Sequence, residues 1–298
     1  MLEFRPITLK DKKWMDPILK RQNSRSCDFN FSNLYVWDRY YKMLAAKTGE
    51  RIVLRNLSEE KPMYSFPVGS GDLYPAILAI EEYCASYGDS LILCGIEEEG
   101  MEQIEAMFPG KFSFELDEQE CDYIYLAEKL STFSGKALHG QKNHCNRFEK
   151  EHDWEFVSLT RELIPGCIDM LRCWTETNKD RLDRSITVEH DAATRAFAAY
   201  EELDLEGGVL LADGEIVGYS IGEMTNDDTF DVHFEKAETE INGAYTMVCR
   251  EMTKMAMNNH ENLVYINRED DMGLERLRQA KLNLKPEYIL KKYIATSR

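Results

Sequence analysis

The stretch "HFEKAETEINGAY", His233–Tyr245, gathers a histidine, a lysine, three glutamates and a tyrosine around an Asn-Gly step. It opens with strand-like alternation and reaches Asn242-Gly243 where a helical pattern begins. A strand that turns through glycine into a helix can hold a phosphate: the first backbone N–H groups lack partners and the helix dipole is positive there. Glu238 and Glu240 stand where such phosphates would lie and would repel them. Asn242 also suits an N-cap, and acids suit a helix N-terminus with no ligand. Both readings fit these residues.

A second chemical set closes "LVYINRED", where Asn267, Arg268, Glu269 and Asp270 end a short strand. A carboxylate or amide at a strand end can move a proton or meet a developing charge. The same acids can simply sit in a solvated turn at the start of the helix "GLERLRQAK". On "HFEKA", period two places His233, Glu235 and Ala237 on one face and Phe234 and Lys236 on the other. A two-layer domain leaves no strand with both faces in water, so at least one of Glu235 and Lys236 is expected to be buried, paired or turned to a cleft. Tyr245 shares helical spacing with Val248 and Met252, which is a core pattern as much as that of a general acid.

The third set is basic. From Lys129 to Phe148 there is no acid, while Lys136, Lys142, His144 and Arg147 fall inside the stretch. The rest of the chain is acidic, with a net charge of −18. This island fits a linker helix whose cations pair with the acidic bulk, or a contact for an anion such as a phosphate or a tRNA acceptor arm. A broad DNA-binding surface is not expected from so acidic a chain.

These residues need a scaffold. With 298 residues the expectation is two domains of about 150 each. An apolar share of 43% and an aromatic share of 11% describe globular domains. No apolar run approaches the roughly 20 residues of a membrane span, and the N-terminal segment has charges where a signal peptide is apolar. The expected location is the cytoplasm. The eight cysteines are scattered with no C-x-x-C pair, so buried reduced thiols and no metal are expected. Cys145 follows His144, but adjacent helical residues face apart.

"EFRPITLKD" (Glu3–Asp11) recurs in outline as "EFVSLTREL" (Glu155–Leu163), each leading into a helical pattern. Each half then reads as helices, an antiparallel meander, a helix, a strand, a helix and a strand. Asp213-Gly214, between two aliphatic runs, is the clearest hairpin turn. "KDRLDRSITVEHDA" reads as a loop before a helix at 191–202. The fold class is therefore mixed α/β (α+β), with sheets that change from antiparallel to parallel.

The segments "SNLYVW" (Ser32–Trp37), "GQKNHCNRF" (Gly140–Phe148), "HFEKA" and "YINREDDMGLERLRQAKLNLKP" (Tyr265–Pro286) carry a resemblance that spans nearly the whole chain. The second half resembles a GNAT-type acyltransferase domain, and the two halves resemble the tandem arrangement of the Fem aminoacyl transferases. The chain is similar to a bacterial family matching the C-terminal catalytic domain of phosphatidylglycerol lysyltransferase. The resemblance implies two GNAT-like domains, with boundaries at 1–135 and 153–298 and a basic connecting helix at 136–152. It implies transfer of an acyl or aminoacyl group from an activated donor to an amine or hydroxyl. The lysyltransferases' membrane-spanning half has no counterpart here, so a lipid acceptor is not the expected one.

Carried onto these residues, the resemblance implies Glu235, Asn267 and Glu269 as catalytic, and Lys236, Asn242, Gly243 and Tyr245 as donor-binding. It makes Lys136, Lys142, His144 and Arg147 the contact for an anion or tRNA. Tyr35 and Trp37 are placed in the cleft between the domains, with core packing as the other use of aromatics. The usual CoA-binding turn reads Arg or Gln, two spacers, Gly, one spacer, then Gly or Ala. Here Glu240-Ile241-Asn242-Gly243-Ala244-Tyr245 keeps only the central Gly. No tightly bound cofactor is expected; the donor would be aminoacyl-tRNA or, as the alternative, acyl-CoA. A third alternative, favoured by Glu240 and Tyr245, is a non-catalytic ligand-binding or interaction protein. The oligomeric state stays open.

Overall fold

A computed structural model describes residues 2–57, 61–178 and 184–298. The chain forms two compact units, each a mixed sheet flanked by helices, the mixed α/β class expected from the sequence. In the first sheet the strands run in the order Arg5–Pro6, Leu44–Thr48, Arg51–Asn56, Met63–Ser65, Ile92–Ile96, Tyr293–Ser297 and Phe112–Leu116. In the second the order is Trp154–Ser158, Glu206–Ala212, Glu215–Met224, Thr229–Ala237, Tyr265–Asn267, Asp122–Leu126 and Tyr288–Leu290. Each is an antiparallel meander, then one parallel step, then antiparallel strands. The parallel steps are Met63–Ser65 beside Ile92–Ile96 and Thr229–Ala237 beside Tyr265–Asn267. The two similar sequence segments lie at equivalent places: each leads an edge strand into a helix, Lys12–Gln22 or Ile164–Asn178.

The division does not follow the expected boundaries at 135 and 153. The first unit takes residues up to Asp122 together with Asp270–Leu274 and Ile289–Arg298. The second takes Tyr123–Glu269 and Glu275–Tyr288. The sixth strand of each sheet thus comes from the other half of the chain. The basic segment is not a linker between units: it forms the helix His139–Glu151, whose Cys145 and Phe148 enter the core of the second unit. The segment read as a loop after Asn178 contains the helix Arg184–Ala198, and residues 179–183 lie outside the described ones.

Local chemistry explains the frame. Asp213 and Gly214 both have positive φ, 55° and 87°, as a primed hairpin turn requires. Asp72 caps Leu73–Tyr87 through the Tyr74 N–H, and Gly88 ends that helix in the left-handed region. The helix Ala244–Asn259 covers one side of the second sheet with Met247, Val248, Met252 and Ala256, packed against Phe230, Val232 and Ala237. Among the described residues no helix is long and apolar enough to cross a membrane.

A fragment of residues 1–135 has no strand to place between Ile92–Ile96 and Phe112–Leu116. It is expected to give no cooperative thermal transition by circular dichroism. A sharp melt like that of the whole chain would contradict the exchanged strand.

Candidate functional site

The site is built on Glu215–Met224 and Thr229–Ala237. These strands pair Gly218↔Ala237, Tyr219↔Lys236, Ser220↔Glu235 and Ile221↔Phe234, then shift register to Gly222↔Val232 and Glu223↔Asp231. The shift is a β-bulge at His233. Gly222 makes it possible, because a Cβ there would lie 2.0 Å from the Asp231 carbonyl oxygen. The bulge resets the alternation. Residues opposite Glu223, Ile221 and Tyr219 share one face, so Asp231, Phe234 and Lys236 lie together, and His233 turns toward Glu223 on that side. Glu235 pairs with Ser220 on the other face. The simple period-two reading, which put His233 with Glu235, is corrected by this one extra residue.

On the first face His233 lies in a row of acids. Its Nδ1 is 3.0 Å from Glu269 Oε1, its Nε2 is 3.2 Å from Glu223 Oε1, and Asp231 Oδ2 is 3.7 Å from Nδ1. The imidazole is 2% exposed, whereas the Glu269 side chain keeps 16%. Burial alone would lower the His233 pKa. The Asp231 charge and the bonds to Glu223 and Glu269 outweigh it and hold the pKa well above the ordinary 6.5. Asn267 is fully buried, and its side-chain oxygen accepts from the Glu269 backbone N–H at 2.6 Å. That bond holds Glu269 in a left-handed turn with φ 57°. Asn267 therefore positions Glu269, and Glu269 meets His233.

The parallel strands pair only from Thr229↔Tyr265 to Asp231↔Asn267. Beyond that, Arg268 reaches Glu235 with two bonds, 2.9 Å to Oε1 and 3.1 Å to Oε2. Both groups are nearly buried, beside the Cys249 thiol of the covering helix. Both Glu235 oxygens are thus held by a cation, which leaves this side chain joining the strands rather than meeting a substrate. Lys236 is paired as well, to Glu189 at 2.7 Å. The sequence required at least one of Glu235 and Lys236 to be buried, paired or turned to a cleft; both are paired.

The expected donor turn behaves differently from a phosphate cradle. Gly243 has φ 89°, and a Cβ on it would lie 2.6 Å from the His144 carbonyl oxygen. The close approach that needs glycine is made by the helix His139–Glu151. A cleft of about 420 Å³ remains beside it, lined by Gln141, His144, Glu240, Asn242, Tyr245 and Thr246. His144 Nδ1 meets Asn242 Oδ1 at 2.9 Å there. Of the basic residues on or just before this helix, Lys136, Lys142 and Arg147 are exposed, and Arg147 bonds Glu151 on its own helix. Burial pushes the Tyr245 phenol well up. Tyr35 and Trp37 lie half-buried on the helix Phe31–Tyr41 of the first unit, Tyr35 stacked on Phe31 and Trp37 tilted against Tyr41.

The family profile of the phosphatidylglycerol lysyltransferase C-terminal region matches residues 19–296. The chain belongs to that family. A conserved protein of unknown function from Bacteroides thetaiotaomicron shares 34% identity over 100% of both chains, with a TM-score of 0.94. The structure of L-PGS from Bacillus licheniformis has the same fold at 15% identity, covering 98% of this chain and 92% of that one, with a TM-score of 0.68. An uncharacterised protein of Mycoplasmoides gallisepticum is 24% identical over 60% of this chain and 57% of its own length. The family match supports acyl or aminoacyl transfer as the activity class.

This lysyltransferase-family chain has a second buried charge cluster, in the first unit. Lys292 is 1% exposed, with its ammonium 2.9 Å from Asp122 and 3.0 Å from Asp28. Cys27 donates its backbone N–H and its thiol to Asp122. Nearby, burial and then the charges of Asp270 and Asp28 push the Glu120 carboxyl up to about 8. Among the described residues two sets of atoms have metal-like spacing within 4.8 Å: Cys27, Asp122 and Asp270, and Asp231, His233 and Glu269. In both, a protein cation already sits among the carboxylates. Sequence reading missed Glu223 and Asp231, which only the bulged register brings together. It also missed Lys292, whose signal was a charge interrupting the apolar "YILKKYIA" pattern. The acids of "REDD" are not a solvated turn: Asp271 is fully buried and accepts from the Gly273 N–H.

Arg268→Ala would leave Glu235 buried without its partner, and urea unfolding should show a loss of about 3–5 kcal/mol. Replacing the pair together, with Met and Leu, should restore most of that loss. A second outcome follows from His233. Its raised folded-state pKa means the stabilisation is complete below about 6.5 and disappears as pH rises through the higher folded value. Urea curves from neutral to alkaline pH should therefore fall more steeply for the native protein than for His233→Gln, and parallel curves would contradict the arrangement.

Proposed function

We propose that this chain transfers an aminoacyl group from aminoacyl-tRNA, or a similarly large activated ester, to an amine or hydroxyl acceptor. The observation that carries the reading is the row Glu223–His233–Glu269 at the point where the two parallel strands part. Glu269 is the partly exposed member and receives the proton of the attacking acceptor. His233 and Asn267 orient it. The acceptor's lone pair forms the new bond to the ester carbon, and the bond to the donor's ribose oxygen breaks. That oxygen takes up the proton released through Glu269.

Acyl-CoA fits less well. Glu240 lines the cleft where a pyrophosphate would lie, Gly243 is covered by a helix backbone, and Arg268 and Glu235 occupy the gap between the strands. The exposed cations Lys136, Lys142 and Arg147 supply the contact for a nucleic-acid donor, beside the cleft that His144 lines.

The test uses tRNA charged with each labelled amino acid in turn, with amines, amino acids and phosphatidylglycerol as acceptors. One charged tRNA should lose its label to an acceptor, and Glu269→Gln should slow that step about 10²–10⁴-fold. Binding of the same tRNA should weaken steeply with salt, and less steeply in Lys142→Glu. No transfer from any charged tRNA, with binding insensitive to salt, would sink the proposal. An acyl-CoA that raises the melting temperature instead would point to the other donor.

A further inference from the structure

The two sets of metal-spaced atoms among the described residues each hold a positive charge, but the two charges differ in kind. In the first unit the cation is the Lys292 ammonium, 2.9 Å from Asp122 and 3.6 Å from the Cys27 sulfur. It is tethered to the chain and 1% exposed, so no ion takes its place. In the second unit the cation is a proton on the His233 ring, shared with the Glu269 carboxylate. A proton can leave, and a metal ion can enter where it was.

The atoms around that proton have the spacing of a coordination shell. His233 Nδ1 is 3.0 Å from Glu269 Oε1 and 3.7 Å from Asp231 Oδ2, and all three lie within 4.8 Å of one another. Ligands bonded to a tetrahedral zinc ion stand about 3.3 Å apart, between the two observed distances. Nε2 of the same ring faces the Glu223 carboxylate at 3.2 Å. A metal-bound imidazole almost always donates its other N–H to a carboxylate, carbonyl or water, which fixes the tautomer and aims the free nitrogen at the ion. The bulged register supplies that carboxylate by setting Glu223 opposite Asp231.

Charge points the same way. With the ring protonated, Glu223, Asp231, Glu269 and His233 hold three negative charges against one positive. A divalent ion on the neutral ring leaves one net negative charge where there were two. That matters for side chains none of which is more than 16% exposed.

We infer that Asp231, His233 and Glu269 form a binding site for a divalent transition-metal ion of the zinc type, with Glu223 fixing the imidazole from behind. One imidazole nitrogen and two carboxylate oxygens suit zinc and its neighbours in the first transition row. Magnesium and calcium take oxygen ligands alone, and copper(I) takes sulfur. Glu269 is the partly exposed ligand, so an ion enters on its side and a water completes the fourth position. The Nδ1 proton passes to solvent as the ion binds. On the role of Glu269 proposed above, the loaded protein has lost its proton acceptor, so the ion inhibits transfer; the binding itself does not rest on that role.

The test titrates the whole chain, first stripped with a chelator, with cobalt(II) as a visible stand-in for zinc(II). Tetrahedral cobalt absorbs in the visible, and thiolate ligands would add a near-ultraviolet band. The visible bands should appear without the thiolate band, saturate at one ion per chain and vanish when zinc(II) is added. Zinc(II) should also raise the melting temperature with concentration. His233→Gln and Asp231→Asn should abolish both responses, with circular dichroism confirming that each variant is folded. Glu223→Gln, which keeps all three ligands, should weaken binding about 10–100-fold. Absence of the visible bands, a thiolate band, or responses unchanged in His233→Gln would each overturn the site. Metal binding that leaves transfer from charged tRNA undiminished keeps the site and removes Glu269 as the proton acceptor.

Discussion

Two parallel strands that stop pairing after three residues set a problem that the second unit is arranged to solve. Backbone groups freed by the divergence after Asp231 and Asn267 lie in the interior, where each must be satisfied. Side chains enter the gap from both faces. Arg268 crosses to Glu235 on the side of the covering helix, and Glu269 meets His233 on the other. Each crossing joins opposite charges, so the gap is held open at a defined width by pairs that would be costly to break singly. The position of the acids and of the imidazole follows from that separation.

The bulge at His233 decides which of these groups belong together. Without the extra residue, strand alternation would put His233 beside Glu235 and away from Glu223. With it, the polar side chains of Glu223, Asp231, His233, Lys236 and Tyr219 share one face, and Glu235 is turned to the helix side. One glycine, Gly222, admits the carbonyl that the bulge pushes forward. A single backbone irregularity thus sorts the charged residues into a structural pair and a chemical row.

Much of this was legible in the residues and some was not. Asp213-Gly214 announced its hairpin because positive φ at both positions is a local requirement. That at least one of Glu235 and Lys236 would be buried, paired or turned to a cleft followed from the absence of a strand with both faces in water. Local patterns cannot show register, so the meeting of Glu223 with Asp231 and the bulge itself were hidden. They cannot show which distant segment fills a gap, so Lys292 beside Asp122 and the covering of Gly243 by the His139–Glu151 helix were hidden too. The glycine in "EINGAY" was singled out as part of a donor-binding turn; what approaches its backbone is another helix of the same chain.

The strand Tyr293–Ser297, seated between Ile92–Ile96 and Phe112–Leu116, has a consequence for the order of events on the ribosome. The two flanking strands are synthesised early and must wait, with unpaired edges facing a gap, while the whole of the second sheet is translated. Non-local closure of this kind makes assembly slow and leaves sticky edges exposed in the nascent chain. The first unit is thus begun first and completed last. Vectorial synthesis therefore cannot mature the units in the order in which they begin: every strand of the second sheet has been made before the last strand of the first arrives.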